Sequence, residues 1–446
     1  MFLGSHVMPP MRLSPQRPFS PKREMDMQQN SNGQRPLAGM SRRDFSRFVG
    51  LGGMAGVAAL AGVDVAGANT TQAAATASPI VNVKDFGAVG DGATNDQPAI
   101  QAALDSVGTD GGYVFFPAGS YRVDFPLFVK SKVNSAAGFV VAGSGQNCAI
   151  RAGENFPTNV ALVYVLGGNA ALFDLGLDGM NRAQNGVEYA YSAPDRPDDR
   201  TILIRGVAFS RFLSNGFHCV GGEGYQIREC FFNSIGDYAV YNRDGGINSF
   251  VEGNYMLGCG GVYLGSTSAQ PEGVRIVNNS ILASAGAGIG VYVDHGLEIN
   301  ISHNVIDQVK VASVQITNNS SYVKCIGNWL SGPPGTVVCS LSQDANSITF
   351  ADNTFEGGDF QLSVVSDTVG RIHDITVHNN IFNNTRDTAM FFNNISRVSI
   401  IGNHCRSSGK ESLFWGGGQY GVAMGNVLWK GPNAAAGLVQ NTNIGW

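Results

Sequence analysis

Apolar residues return at every second position through short runs along this chain, and the runs themselves return about every 24 residues. In the stretch from Gly286 to Val309, GAGIGVYVDHGLEINISHNVIDQV, one run puts Ile289, Val291 and Val293 on a common face, and a second does the same with Leu297, Ile299 and Ile301. Alternation with a period of two marks a half-buried strand. Asn304 then precedes a third apolar pair, Val305 and Ile306. The same phrase recurs at Asn254, Asn279, Asn328, Asn353, Asn380, Asn403 and Asn426, with 23 to 27 residues between neighbours. Three short strands per period, with no helical spacing inside it, predict a solenoid in which each period is one coil. The expected fold is all-β: a single-stranded right-handed parallel β-helix of about ten coils. Coils stacked about 4.8 Å apart let each asparagine amide bond the amides above and below, so that a buried polar group is satisfied by its own repeat. Cys230 and Val207 fall at the equivalent place, so the coils begin before the asparagines do.

Ahead of the repeat the pattern changes. Between Val81 and Val123 a strand leads through a Gly-rich turn into a segment where Ile100, Ala103, Leu104 and Val107 share one helical face. Asn95 or Asp96 can cap that helix, and Pro98 suits its first turn. The open end of a solenoid is an unpaired edge over an exposed core, and this short N-terminal helix is expected to cover it. The stretch resembles, in "DFGAVGDG", "AIQAAL" and "GGYVFFPAGSY", the N-terminal signature of the pectate lyase and polygalacturonase-like right-handed β-helix superfamily. With the repeats, the resemblance extends over nearly all of the chain beyond residue 80. It implies the fold, with carbohydrate polymers as the commonest substrate, but not the reaction. The polygalacturonase motifs are missing apart from a faint likeness at Asp294, His295 and Gly296. "VYVDH" resembles a pectate lyase Trp-Ile-Asp-His phrase, yet the Arg-Asp-Gly phrase that should follow it comes earlier, at Arg243 to Gly245.

Residues 1–39 are polar and without periodicity, and are expected to be a disordered or untranslated extension, with Met40 as a candidate start. Residues 40–68 read as a twin-arginine signal peptide. Ser41, Arg42, Arg43, Asp44 and Phe45 are followed by a mild apolar run from Val49 to Val63 and the small-residue site Ala66, Gly67, Ala68. A spanning helix needs about 20 apolar residues, so this run is read as cleaved rather than as an anchor. The mature protein is then expected to be periplasmic or secreted, with no membrane partner. Residues 69–80 read as a linker and 81–446 as the β-helix domain.

Charged residues are only 14% of the 446, against an average of about 25%, and Gly reaches 59, a mix that suits turns and stacked strands. A net charge of -5 offers no basic footprint, which argues against a nucleic-acid partner. The seven Cys show no Cys-x-x-Cys or His-x-x-x-His spacing for zinc; Cys219, Cys230, Cys339 and Cys405 fall on strand positions and are expected as buried thiols.

The candidate chemistry comes from aligning successive strands. That alignment gives one outward column of Glu188, His218, Val240, Tyr263 and Gly290. A second holds Ala190, Val220, Asn242, Gly265 and Tyr292, and a third Ser192, Gly222, Asp244, Thr267 and Asp294. Asp244, Asp294, His218 and Glu188 are the expected catalytic residues, with Tyr263, Tyr292, Arg243 and His295 for substrate binding. The two aspartates, about 10 Å apart at the backbone, could close to the roughly 6.5 to 9.5 Å of an inverting glycosidase. They stand too far apart to share a calcium ion easily, since it wants oxygens at about 2.4 Å, so no cofactor is expected and calcium is left open without support from the spacing. Glu188 can raise the pKa of His218 or orient its ring from the next coil. The tyrosines offer flat faces to sugar rings, and Arg243 a partner for a uronate carboxylate. Residues 181–200, with Arg196, Asp198, Asp199 and Arg200, lengthen one coil into a polar loop. The expected function is an exported enzyme cleaving a polysaccharide, with hydrolysis preferred over elimination. The alternative is a non-catalytic polysaccharide-binding or envelope-surface scaffold.

Overall fold

The computed structural model describes residues 80–107, 111–130, 138–190, 201–222 and 224–445. The extension, the export signal and the linker up to residue 79 lie outside them, as do residues 191–200 of the polar loop. Because every second residue of each strand is apolar, the strands can bury one face only by closing into a tube. They form three parallel sheets of 15, 15 and 13 strands, in which each strand pairs with its counterpart one coil on. The result is a right-handed β-helix of about 13 turns, longer than the ten coils expected. The additional coils at the start lack the asparagine that betrayed the others, whereas the last one carries it at Asn443. Gly112–Phe116 pairs with Phe139–Gly143 at the start, and Leu438–Asn441 and Ile444–Gly445 close the far end. Apolar alternation alone is enough to stack those at the start.

The asparagine ladder forms as the period requires. Asn254 donates from Nδ2 to Oδ1 of Asn279 at 2.9 Å, and the same bond links each rung to the next through Asn426. Asn426 in turn donates to Asn443, a rung the sequence reading did not include. Each amide also bonds a strand carbonyl of the preceding coil, as Asn328 does with Ile301 at 2.9 Å. At the front, the backbone amide of Cys230 donates to Oδ1 of Asn254, which confirms the alignment of that cysteine. The residue before each ladder asparagine turns the chain with a positive φ: 67° at Gly253 and 57° at His303. A second amide pair lies at another corner, where Asn215 donates to Oδ1 of Asn185.

Helix Gln97–Val107 buries Ile100, Ala103 and Leu104, the face the pattern picked out. Leu104 meets Phe116, Leu127 and Val129 at the end of the core, and the Gln101 amide bonds both Phe128 backbone groups at 2.9 and 3.1 Å. Asn95 accepts from the Gln97 amide at 3.3 Å, whereas the Asp96 carboxyl holds the Gly-rich turn through Val89 and Gly90. All seven cysteines are buried and free. No helix among the described residues is long and apolar enough to cross a membrane.

Candidate functional site

The outer face of the third sheet carries a column of side chains that runs Phe128, Tyr164, Glu188, His218, Tyr241, Tyr263, Tyr292, Gln315 and Ser340. Two of the expected columns are therefore out of register. Val240 points into the core, where its branched side chain belongs, and Tyr241 takes the outward place. Gly290 is likewise buried, and Tyr292 stands beside Tyr263 rather than in the second column. Asn242, expected outside, is fully buried and donates to the Gly245 carbonyl at 2.9 Å. The true second column places Arg243 beside Gly265, with Asp294 one coil further on and Thr317 after it.

The third column fails for a related reason. Asp244 lies one residue past strand Tyr238–Arg243, in the turn position that His295 takes after Ile289–Asp294. Its carboxyl accepts from the Thr267 amide, from Thr267 Oγ1 at 2.8 Å and from the Ser268 amide at 2.8 Å. Burial alone would raise its pKa, but these bonds together outweigh burial and hold it at about 2. An acid so strong cannot serve as a general acid near neutral pH, and Asp244 shares no hydrogen-bond partner with Asp294 among the described residues. Burial raises the pKa of the Tyr241 phenol, Arg243 opposes the rise, and the charges of both Asp244 and Asp294 add to it, so the two carboxylates lie near one ring.

A hydrogen-bonded cluster forms at Asp294 instead. Asp294 accepts from the Tyr263 hydroxyl at 3.1 Å and from Asn318 at 2.6 Å, and Nδ1 of His295 lies 3.2 Å from its Oδ1. Burial, followed by the Asp294 charge, pushes the Tyr263 phenol far above its ordinary value, so this hydroxyl remains a donor. Tyr263 stacks on Tyr241 at 4.5 Å and meets the Tyr292 ring edge-on at 5.2 Å; Thr317 approaches the Tyr292 hydroxyl at 3.4 Å. A Cβ at Gly265 would collide with the Tyr263 phenol, so the bare position makes room for that ring to lie along the strand. His295 turns the chain with φ 62°, the same left-handed conformation that Asp244 adopts at its turn.

Glu188 and His218 pair as expected, Oε2 to Nδ1 at 3.4 Å, and Asn185 lies 3.2 Å from each. The bond from His218 lowers the Glu188 pKa. The Tyr241 and Tyr263 rungs separate this pair from Asp294, so the expected residues fall into two groups rather than one. Arg243 lies between them, largely exposed and 3.8 Å from Asp244. Tyr241 is the member that sequence alignment missed. Its signal was present, since Tyr241, Tyr263 and Tyr292 each follow a valine, at Val240, Val262 and Val291. Among the described residues no three His, Cys, Asp or Glu side chains gather as a metal site would need.

Residues 80–173 match the family described as "Rhamnogalacturonase A/epimerase, pectate lyase-like", and residues 181–330 match "Right handed beta helix region". A mannuronan C5-epimerase, AlgE3 of Azotobacter vinelandii, is 32% identical over 239 residues, 47% of this chain but only 12% of that protein's length. Alginate lyase 7 of the same organism is 48% identical over 73 residues, 15% of this chain and 8% of its own. The A-module of mannuronan C-5 epimerase AlgE4, also from A. vinelandii, superposes with a TM-score of 0.61 at 20% identity, covering 74% of this chain and 96% of that module. At that identity the superposition speaks for the fold.

Proposed function

We infer that this chain, a member of the pectate-lyase-like right-handed β-helix superfamily, modifies a uronate-containing polysaccharide by removing the proton at C5 of a sugar residue. The observation that carries the inference is the Asp294–His295–Tyr263 cluster on a tyrosine-lined sheet. Hydrolysis by paired carboxyls needs one of them protonated near neutral pH, and Asp244, bonded to Thr267 and Ser268, is held as the carboxylate. Proton abstraction needs a different set, and the residues present suit it. Asp294 orients His295 through Nδ1, which leaves Nε2 without a partner among the described residues and able to accept a proton.

The C5 hydrogen is acidified by the adjacent carboxyl group, into which the electron pair moves as the proton leaves. Arg243, beside the bare Gly265, is the cation suited to that developing charge. Tyr292 is the hydroxyl suited to return a proton. Returned to the opposite face of C5, it inverts the residue. Delivered to the departing C4 oxygen, it completes an elimination and cleaves the chain. Relatives named C5-epimerase and alginate lyase agree with one carbanion serving either outcome.

The test is to incubate the protein with polymannuronate and other polyuronates in D2O, with and without added calcium. Deuterium at C5 by NMR, with or without unsaturated ends, is the expected result. New reducing ends without exchange or unsaturation would mean hydrolysis and overturn the reading. Binding without any change in the polymer would instead favour the scaffold, a reading supported by the stacked Tyr241 and Tyr263 rings. Export by the twin-arginine route belongs to the same proposal: replacing Arg42 and Arg43 by Lys should retain the protein in the cytoplasm on fractionation.

A further inference from the structure

The outer face of the second sheet, away from the residues above, carries an aromatic column with rungs missing. Tyr255 stacks on Phe231 with centroids 5.7 Å apart and planes 14° from parallel. Both rings are about two-fifths exposed, Phe231 at 41% and Tyr255 at 42%, although rings of this size are normally buried. The positions before Phe231 in the same column are Ala208, Gly176 and Ala149, so three successive coils present almost no side chain. Tyr255 covers one face of Phe231, and the other closes the end of a hollow of about 480 Å³. Ala208 lies in the floor of that hollow, and Gly176 lines the adjoining cavity on the same face, two coil steps of about 4.8 Å from Phe231.

Its rim is polar. Asp174 and Glu229 hold turn positions two coils apart, with φ of 50° and 53° and Gly206 on the coil between them, and neither carboxyl accepts a hydrogen bond from a described residue. A Cβ at Gly206 would collide with the Asp174 carboxyl, so the glycine leaves that group its place beside the hollow. Gln146 adds an amide that can donate and accept.

We propose that this hollow is a second carbohydrate-binding site, which takes a neutral, hydroxyl-rich oligosaccharide with one pyranose ring stacked on Phe231 in place of the rung absent at Ala208. The ring shape answers the open aromatic face, and vicinal hydroxyls answer carboxyl oxygens, which accept and never donate when ionised. The same two carboxyls repel a uronate. The site therefore selects against the polymer that the third sheet is read as processing, and it stands or falls independently of that reading.

The test titrates the full-length chain with neutral tetrasaccharides of glucose, mannose, galactose and xylose, and with tetramannuronate, by calorimetry and saturation-transfer NMR. A neutral tetrasaccharide should bind, with the strongest saturation on one ring face. Phe231→Ala removes the platform and Ala208→Phe fills the missing rung, and each should weaken binding about tenfold or more, the worth of one good ring contact. Both side chains lie on the outer face, so melting should follow the parent and C5 deuterium exchange should be unchanged. Failure of every neutral sugar to bind would overturn the proposal. So would parental affinity in Ala208→Phe, or tetramannuronate binding that Phe231→Ala abolishes.

Discussion

Replacing Asn328 by Ala tests whether the amide ladder stabilises the coils or merely accompanies them. Oδ1 of Asn328 accepts from the backbone amide of Asn304 at 2.9 Å and from its Nδ2 at 3.0 Å; Nδ2 of Asn328 donates to Ile301 O and to Asn353 Oδ1, both at 2.9 Å. The substitution removes these four bonds, and a weaker one from Nδ2 to Cys325 Sγ at 3.4 Å, at a site with 2% exposure, where water cannot replace them. Two donors of Asn304 are stranded, and an unpaired buried donor costs about 1 to 3 kcal/mol. Asn304 Nδ2 keeps its bond to Ile276, which points to the lower half of the sum, about 2 to 4 kcal/mol. Asn254 supplies the internal control. Its Oδ1 accepts only from the Cys230 amide, because the Cys230 thiol donates instead to the Ile204 and Arg228 carbonyls, so Asn254→Ala strands one group and should cost about half as much. Denaturant unfolding together with hydrogen exchange in the flanking coils measures both variants, since a solenoid loses stability locally. Equal losses in the two, or a loss under about 1 kcal/mol for Asn328→Ala, would refute the reasoning.

Asp294→Asn and His295→Gln should each lower the rate on polyuronate by at least about 10²-fold, the usual worth of a positioned acid or base, while Asp244→Asn stays within a few-fold of the parent. Asp244 also carries a pH signature. Its folded pKa of about 2 lies below the ordinary carboxyl value of 3.8, so its contribution is fully present above about pH 4 and is lost as pH falls toward 2; melting of Asp244→Asn should lack that component of acid sensitivity. Gly265→Ala should displace the Tyr263 ring and depress kcat without loss of the fold, as judged by circular dichroism. Burial pushes the thiols of Cys219, Cys230, Cys259 and Cys325 up to about 12, so Ellman's reagent at pH 8 should find almost no reactive thiol in the native protein and all seven in denaturant.

The fold was legible because its periodic residue has a reason to be periodic. An asparagine buried at a corner is satisfied only by another one coil away, so the ladder is written into the spacing of Asn279, Asn304 and Asn328. The outer coils were harder to count because an apolar strand such as Phe139–Gly143 needs no particular residue. The site was less legible for a geometric reason. A slip of one residue in a strand exchanges inside for outside, and an alignment keyed to glycines made that slip at Val240 and a larger one at Gly290. Asp244 and Asp294 look alike in sequence, but one falls in a turn and the other at a strand's end, and only the backbone distinguishes them. The hollow beside Phe231 was invisible because it consists of side chains that are missing from distant places in the chain, Ala208 and Gly176.

Every link of the ladder runs the same way, each asparagine handing its protons to the one that comes later in the chain. The structure is vectorial in the order of its own synthesis. A nascent chain that has completed the coil of Asn328 holds an amide whose acceptor, Asn353, has yet to leave the ribosome. The growing end is thus always one coil short of saturation, and each new coil repairs the defect of the last and recreates it a step further on. At Asn443 the pattern is unchanged: its Nδ2 bonds the Ala423 carbonyl one coil back, the bond that every rung makes.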